Sequence, residues 1–229
     1  MEQNLALIEL ITIPGGSILL GEGADAHELH VTTFQIGRFP VTAVQYQSFT
    51  SQTGHPPPPH WPDGQLHPLF ANHPVSNISW FDALIFCRWL TEIEGKIYRL
   101  PSEAQWEKAA RGQESYIYPW GNTFHKENCN TWEAGAAYTQ PVDALPQGAS
   151  PYGVIDMAGN VWEWCSTILK DYPYSAVDGR ENLSDREAWR VLRGGSWYDT
   201  GWGVRAARRL GSPAAHASQN TGFRIASDG

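Results

Sequence analysis

The chain has 229 residues, of which 41% are hydrophobic and 17% charged, with a formal net charge of −8. That length supports a real core and the composition is too apolar for disorder. The acidic balance, with no basic stripe, excludes nucleic-acid binding through phosphates, and no apolar run approaches the roughly 20 residues of a membrane-spanning helix, so no membrane insertion is expected. Gly 22, Pro 16 and Trp 11 are the unusual counts. They predict a loop-rich fold with short strands, and a tryptophan set that fills a large core or faces a ligand. Cys87, Cys129 and Cys165 are odd in number and have no CxxC spacing. They read as buried thiols in a reducing compartment. Met1-Glu-Gln-Asn does not start like a signal peptide, so the expected location is cytoplasmic.

Leu7 to Ile13 and Ser17 to Leu20 are apolar runs separated by Pro14-Gly15-Gly16, which predicts two strands around a turn. His30 to Ile36 alternates and predicts a third strand. Thr42 is a fitting N-cap for a helix over 43–53, with Val44, Tyr46 and Phe49 on its apolar side and Gly54 as its stop. His55-Pro-Pro-Pro-Pro-His60 reads as a rigid extended surface loop. His27 and His30, three apart on a strand, face opposite sides and do not make a metal site. Ser79 caps the strongest helix, whose stripe is Ala83, Phe86, Cys87 and Leu90 and which Gly95 closes. Ser102 and Gln105 have capping-box spacing for a helix running to about Arg111, with Trp106 turned inward.

From Tyr118 to Gly153 mostly irregular structure is expected. Some thirty irregular residues in a compact domain imply that the segment binds something or is tied down. Calcium is one such tie, and Asn130, Glu133, Asp143 and Asp156 offer oxygens. In Gly153 to Trp164, Asp156 and Glu163 flank the Gly159-Asn160 bend. Spacing alone allows two readings: a calcium site that includes main-chain carbonyls, or Asp156 capping a turn with Glu163 paired to an arginine. Leu169 to Trp189 reads as a polar insertion.

The last forty residues carry framework at both ends. Arg190-Val-Leu-Arg-Gly-Gly-Ser-Trp197 opens the stretch and Gly222-Phe-Arg-Ile225 closes it as a short half-buried strand. Residues 198–221 between them are small, polar and loop-like, with 204–208 as a candidate strand. Loops on a rigid scaffold are where binding and catalysis usually sit.

Taken together, Pro40-Val-Thr42, Pro74-Val75, Ser79-Trp80, Arg99-Leu-Pro-Ser-Glu-Ala-Gln-Trp-Glu107, Ala109-Ala-Arg-Gly112, Pro119-Trp-Gly-Asn122, Gly159-Asn-Val-Trp-Glu-Trp164, Arg193-Gly-Gly-Ser-Trp197 and Gly222-Phe-Arg224 resemble the formylglycine-generating-enzyme / sulfatase-modifying-factor superfamily over nearly the whole chain. The resemblance implies one α+β domain over residues 1–229 with a C-type-lectin-like fold and bound calcium. It places one ion at Asp156, Glu163 and the main chain of Gly159 and Val161. A second would use Asn130 and the Thr131 carbonyl, with its remaining ligands in a loop that is shorter here. The active oxidases of the family bind copper through two cysteines five apart, and those positions here are Asp199 and Val204. Formylglycine chemistry is therefore not expected.

A second branch that this chain resembles comprises the variable proteins of diversity-generating retroelements, which use the fold for binding. Adenine-directed copying scatters codons in their C-terminal stretch. Tyr198, Asp199, Thr200, Gly201, Trp202, Gly203, Leu210, Gly211, Ser212, His216, Ser218, Asn220 and Thr221 are the expected ligand-binding positions, with Arg205-Ala-Ala-Arg208 and Pro213 as framework. The expected function is non-catalytic binding of a protein or other macromolecule through residues 198–221. The alternatives are a metal-dependent oxidase or oxygenase of altered chemistry, with a metal on Asp199 and His216, and a sensor module with a fixed ligand.

Overall fold

The computed structural model describes residues 8–135 and 137–228, so Leu7, the start of the first predicted strand, lies outside the described residues. The chain forms nine strands, three α-helices and six short 3-10 turns among those residues, an α+β arrangement joined by long irregular segments. The strands are β1 (Leu10–Ile13), β2 (Gly16–Leu20), β3 (His27–Val31), β4 (Phe34–Gly37), β5 (Trp162–Ile168), β6 (Trp189–Arg193), β7 (Arg209–Pro213), β8 (Thr221–Gly222) and β9 (Ala226–Ser227). The helices are α1 (Ala43–Thr53), α2 (Trp80–Glu94) and α3 (Glu103–Arg111). No helix among the described residues is long and apolar enough to cross a membrane.

All three helices begin as the sequence predicts. Thr42, Ser79 and Ser102 each accept the N–H of the residue three further on, and Gln45, Asp82 and Gln105 return a side-chain acceptor to the cap. These reciprocal bonds satisfy donors that a helix start leaves open. Gly54 and Gly95 close α1 and α2 in left-handed backbone, at φ 73 and φ 69.

Strand pairing departs from the predicted order. β1 and β2 do not pair with each other: β1 pairs with β4, and β4 with β9, while β2 pairs with β3 as a separate hairpin. The predicted third strand over 30–36 is broken at Thr32-Thr33, where Thr33 Oγ1 accepts the Gly15 N–H at 2.9 Å and pins the base of that hairpin. His27 and His30 fall on opposite faces of β3, as expected; His27 is half-buried and His30 exposed. A four-stranded sheet in the order β7-β6-β5-β8 completes the scaffold.

The β5–β6 pair divides two cores. Strand side chains alternate between faces, so Trp162, Trp164 and Leu192 face a cluster with Tyr46, Phe49, Phe86 and Phe223 from α1, α2 and the C-terminal segment. Cys165 and Val191 face the other, with Trp106, Phe34 and Ile36. Buried indoles keep partners for their N–H groups: Trp80 donates to the Cys165 carbonyl at 2.9 Å and Trp164 to the Ile78 carbonyl at 2.8 Å. The three thiols are free and buried. Every residue of α3 is buried, charges included. Lys108 Nζ donates to the Gly16 carbonyl at 2.9 Å, and Arg111 to the Gly21 carbonyl at 2.7 Å. The helix thereby closes the end of the β2–β3 hairpin.

Two local expectations at the C-terminus are corrected. Residues 204–208 form turns rather than a strand, and β7 begins only at Arg209. The Gly222–Ile225 segment is fully buried rather than half-buried, with Phe223, Arg224 and Ile225 all at 0% exposure. Of the predicted insertion, residues 169–188 hold no helix or strand, and its last residue, Trp189, opens β6. The insertion is tied down by Glu181, which accepts hydroxyl bonds from Ser166, Thr167 and Tyr174 at 2.6–2.7 Å.

Candidate ligand-binding surface

The turn after β6 sets the site. Gly194 and Gly195 both take left-handed backbone, at φ 94 and φ 72. A Cβ on Gly195 would lie 2.6 Å from Val204 Cγ1, so conformation and packing both require glycine. The following loop is laid against the segment that carries Trp132 and Glu133. Trp132 donates its N–H to the Asp199 carbonyl at 3.0 Å, and Gly201 donates its N–H to Glu133 Oε1 at 3.0 Å. This docking makes a ridge of rings in edge or tilted contact: Trp132 with Tyr198 at 6.0 Å between centroids, Tyr198 with Trp197 at 5.6 Å, and Trp197 with Tyr138 at 6.4 Å. Trp132, Tyr138 and Tyr198 are 62%, 67% and 64% exposed. Trp202, also exposed, lies under the guanidinium groups of Arg205 and Arg208 at 4.4 and 4.5 Å. Clustered exposed aromatics mark an interaction surface more often than a solvated one, and such rings give contact area at low entropic cost.

The ridge is smaller than the predicted patch in one respect and larger in another. Tyr198, Thr200, Trp202, Leu210 and His216 are exposed, and Gly211, Ser218 and Asn220 are half-buried. Gly201, Gly203, Ser212 and Thr221 are buried, which removes them as contact residues. A Cβ on Gly201 would meet the Phe124 ring at 2.8 Å, and one on Gly203 would meet Asp199 Cβ at 3.1 Å. Asp199 is also structural. Its Oδ2 accepts the Ser196 N–H at 3.0 Å, the Ser196 hydroxyl at 2.6 Å and the Trp162 indole N–H at 3.0 Å. Leu210 and Gly211 lie on β7, where Gly211 packs against Leu169 and Trp189. Trp132 and Tyr138 escaped the residue-by-residue reading, although they lie in the irregular segment that the sequence marks as binding or tied down.

Beside Trp197 the ridge descends into a groove of ≈ 340 Å3. Tyr138, Trp197 and Gln219 form one wall; His60, Trp61, Phe70 and His73 form the other. The proline loop contributes His60, its last residue, to the groove and is anchored by His55 Nε2 on Asp82 Oδ1 at 2.9 Å. The Asn77 side-chain amide donates to His60 Nδ1 at 3.1 Å and the Leu69 N–H donates to His67 Nδ1 at 3.3 Å. An accepting Nδ1 leaves the proton of a neutral ring on Nε2. Burial lowers the pKa of His60 and of His73, which favours neutral rings in this wall. None of the described residues lining the groove is Asp, Glu, Lys or Arg.

The calcium candidates converge on one seam. Asp156, Gly159 and Asn160 all take left-handed backbone. Asn160 donates its N–H to the Asn130 carbonyl at 2.9 Å and its side-chain amide to Asp156 Oδ2 at 2.6 Å, while Asn130 Nδ2 donates to Asn160 Oδ1 at 3.1 Å. Asn130, the first residue named for the second ion, therefore lies beside the Gly159-Asn160 bend named for the first. Asn130 Oδ1 is buried without a hydrogen-bond partner, and desolvation pushes the half-buried Asp156 carboxyl up to about 8 against the opposing pull of Asn160 and Arg224. A buried oxygen without a partner in the same hydrogen-bonded seam as a carboxyl fits an oxygen-seeking cation. Glu163, the other carboxylate of the set, faces Trp106 and Arg224. Its Oε2 accepts from Trp106 Nε1 at 2.7 Å and Arg224 Nε at 2.5 Å, and its Oε1 from Arg224 Nη2 at 2.6 Å. It is the arginine-paired carboxylate of the alternative reading.

The two positions aligned with the copper cysteines are occupied by the tethered Asp199 and by Val204. Val204 is fully buried with Tyr118, Cys129 and Ala158. Among the described residues, no three His, Cys, Asp or Glu side chains are grouped to hold a metal.

The fold and the ridge define a C-type-lectin-like scaffold with an aromatic loop surface. The chain belongs to the sulfatase-modifying factor enzyme 1-like domain family, whose pattern matches residues 1–229. It is 39% identical over 67% of its length to the inactive C-alpha-formylglycine-generating enzyme 2 of Bos taurus, and spans half of that protein. It is 30% identical over 96% of its length to the formylglycine-generating enzyme of Thermomonospora curvata, covering 93% of that protein. In fold it is similar to the structure of Treponema denticola variable protein 1, with a TM-score of 0.82, 22% identity, and coverage of 96% of this chain and 95% of the other.

Proposed function

We propose that this chain is a non-catalytic binding protein that presents the surface of residues 198–221, with the rings of Trp132, Tyr138 and Trp197 beside it, to a protein or other macromolecular ligand, on a calcium-stabilised scaffold whose exposed loop positions are diversified by a retroelement. The observation that carries the non-catalytic part is Val204, an apolar side chain with no exposure at a copper-cysteine position. A thiolate pair is what a soft copper ion needs, and Asp199 is already spent on Ser196 and Trp162. The relative named inactive and the fold neighbour named a variable protein support the same reading. Diversification has a direct test. DNA near the gene should carry a second copy of the codons for residues 190–225, differing where that copy holds adenine. The differences should fall on the exposed positions Tyr198, Thr200, Trp202, Leu210 and His216 and spare Gly201 and Gly203. Absence of such a copy, and of a reverse transcriptase beside it, overturns diversification and leaves a fixed-ligand module.

Calcium in this reading is held by Asp156 with the Gly159 and Val161 carbonyls, and by Asn130 Oδ1 with the Thr131 carbonyl. The ion would supply the positive charge that the buried Asp156 carboxyl lacks. At about 100 times its dissociation constant it adds roughly 2.7 kcal/mol. Chelator should therefore lower the melting temperature measurably, and Asp156→Ala should abolish the difference between calcium and chelator. An unchanged melting temperature on chelation removes calcium from the reading.

A further inference from the structure

The groove beside Trp197 is a built cavity that residues 198–221 alone do not account for. Most of its far wall comes from the proline loop and the segment after it, which are not in the C-terminal stretch. Its aromatic members, Trp61, Phe70, Tyr138 and Trp197, surround a space of ≈ 340 Å3, within the range of sites that enclose a small group. The charge pattern narrows the occupant. The protein carries a net −8, yet none of the described residues lining the groove is Asp, Glu, Lys or Arg, and its titratable side chains are histidines. A charged group buried there would lose its hydration with no counter-ion to offset the loss. The polar side chains of the lining are His60, His67, His73, Ser76, Thr139 and Gln219, and burial lowers the pKa of His60 and His73. The groove is also continuous with the ridge through Trp197 and Tyr138, which belong to both.

We infer that the groove is the anchor pocket of the binding surface, and that it takes one uncharged aromatic or large aliphatic side chain projecting from a protein partner. The inference rests on the binding reading above and adds the partner's chemistry to it. Interfaces concentrate their energy in a few such anchors seated in desolvated pockets, with a near-neutral surround that excludes water. Here the ridge rings Trp132 and Tyr198 supply the surround, and the partner's main chain runs across them.

The test uses the whole chain and four probes: N-acetyl-tryptophanamide, N-acetyl-leucinamide, N-acetyl-lysinamide and N-acetyl-aspartamide. Each is titrated while the indole N–H resonances of Trp61 and Trp197 are followed by NMR. The tryptophan and leucine probes should shift both indoles at weak affinity, and the lysine and aspartate probes should leave them unmoved. Phe70→Ala, at an exposed wall position, should weaken the tryptophan probe about tenfold, the scale of one lost aromatic contact, without lowering the melting temperature. Phe70→Leu should restore part of it, and Trp189→Ala on another face should change nothing. Equal shifts from charged probes, or no response at either indole, overturn the inference. Micromolar binding of the free tryptophan probe overturns it too, by assigning the groove to a small molecule. The two readings fail separately: a macromolecular ligand bound through Tyr198 with silent indoles sinks only the pocket, whereas responsive indoles with no ligand dependent on the ridge sink the binding reading.

Discussion

Arg193→Ala should destabilise the protein by about 3–5 kcal/mol, the usual result of removing one partner from a buried ion pair. Arg193 has no exposure, and neither do Glu103 and Glu107, the two α3 carboxylates it faces. The guanidinium joins three parts of the fold. It pairs with Glu107 and, at 3.3 Å, with Glu103, and its two terminal nitrogens donate to the Ala207 and Ala206 carbonyls at 3.1 and 2.9 Å. Truncation leaves Glu103 only Arg209 and Tyr172, and Glu107 only Arg111 and the Gly21 N–H, and it empties the fully buried space of the guanidinium between them. It also frees the turn that carries the binding loop back to β7. A loss of this size would lower the melting temperature by about 10 °C in a chain of this length. Arg88→Ala is the control. Its pair with Glu92 is largely exposed on α2, where such pairs contribute about 0–1 kcal/mol. If Arg193→Ala lost no more than Arg88→Ala, the buried network would not be what fixes α3 to the sheet.

The helices were legible because their signals are local. Ser102 and Gln105 form a capping box from sequence spacing alone, and both bonds are present in the fold. Thr42 is likewise the N-cap that the sequence marks, and Gln45 completes a box there. Strand pairing is a long-range choice, and nothing local in Leu10–Ile13 or Gly16–Leu20 encodes that β1 pairs with β4 across an intervening hairpin. The 204–208 segment failed for a similar reason. Its apolar members suit a strand, but Val204 and Ala206 are drawn into two different cores. The Ala206 and Ala207 carbonyls are taken by Arg193 rather than by a neighbouring strand.

The binding surface was half legible. Composition marked Tyr198, Trp202 and His216, which are exposed, but it could not tell a glycine that displays the backbone from one that fills a gap. Gly201 and Gly203 are of the second kind, because Phe124 and Asp199 stand where a side chain would go. Asp199 misled for a related reason. A carboxylate in a loop looks available, yet one oxygen closes a turn on Ser196 and holds the Trp162 indole from β5. Trp132 and Tyr138 depend on how the segment that carries Trp132 and Glu133 docks, and the two main-chain and side-chain bonds to Asp199 and Gly201 that decide this are far apart in sequence.

Glu163→Gln should cost about 3–5 kcal/mol whether calcium or chelator is present, because what it removes is the counter-charge of Arg224. Arg224 is fully buried, and its remaining partners are the carbonyls of Gly37, Arg38, Ile155 and Asp156. Carbonyl dipoles alone do not neutralise a guanidinium with no access to water. Glutamine keeps the length of the side chain and an acceptor for Trp106 Nε1, but turns an N–H donor group toward an arginine that has only donors. The family resemblance assigns Glu163 to an ion instead, and the two roles differ in a measurable way. A ligand's loss appears in calcium and vanishes in chelator; an anchor's loss is equal in both. Asp156→Ala should behave as the ligand and Glu163→Gln as the anchor, although seven residues separate them in one motif. The double change Glu163→Met with Arg224→Met should be less damaging than either single change, since replacing both members of a buried pair with apolar side chains strands no charge. A Glu163→Gln loss confined to calcium would return that carboxylate to the ion and require Arg224 to find another partner in the bound state.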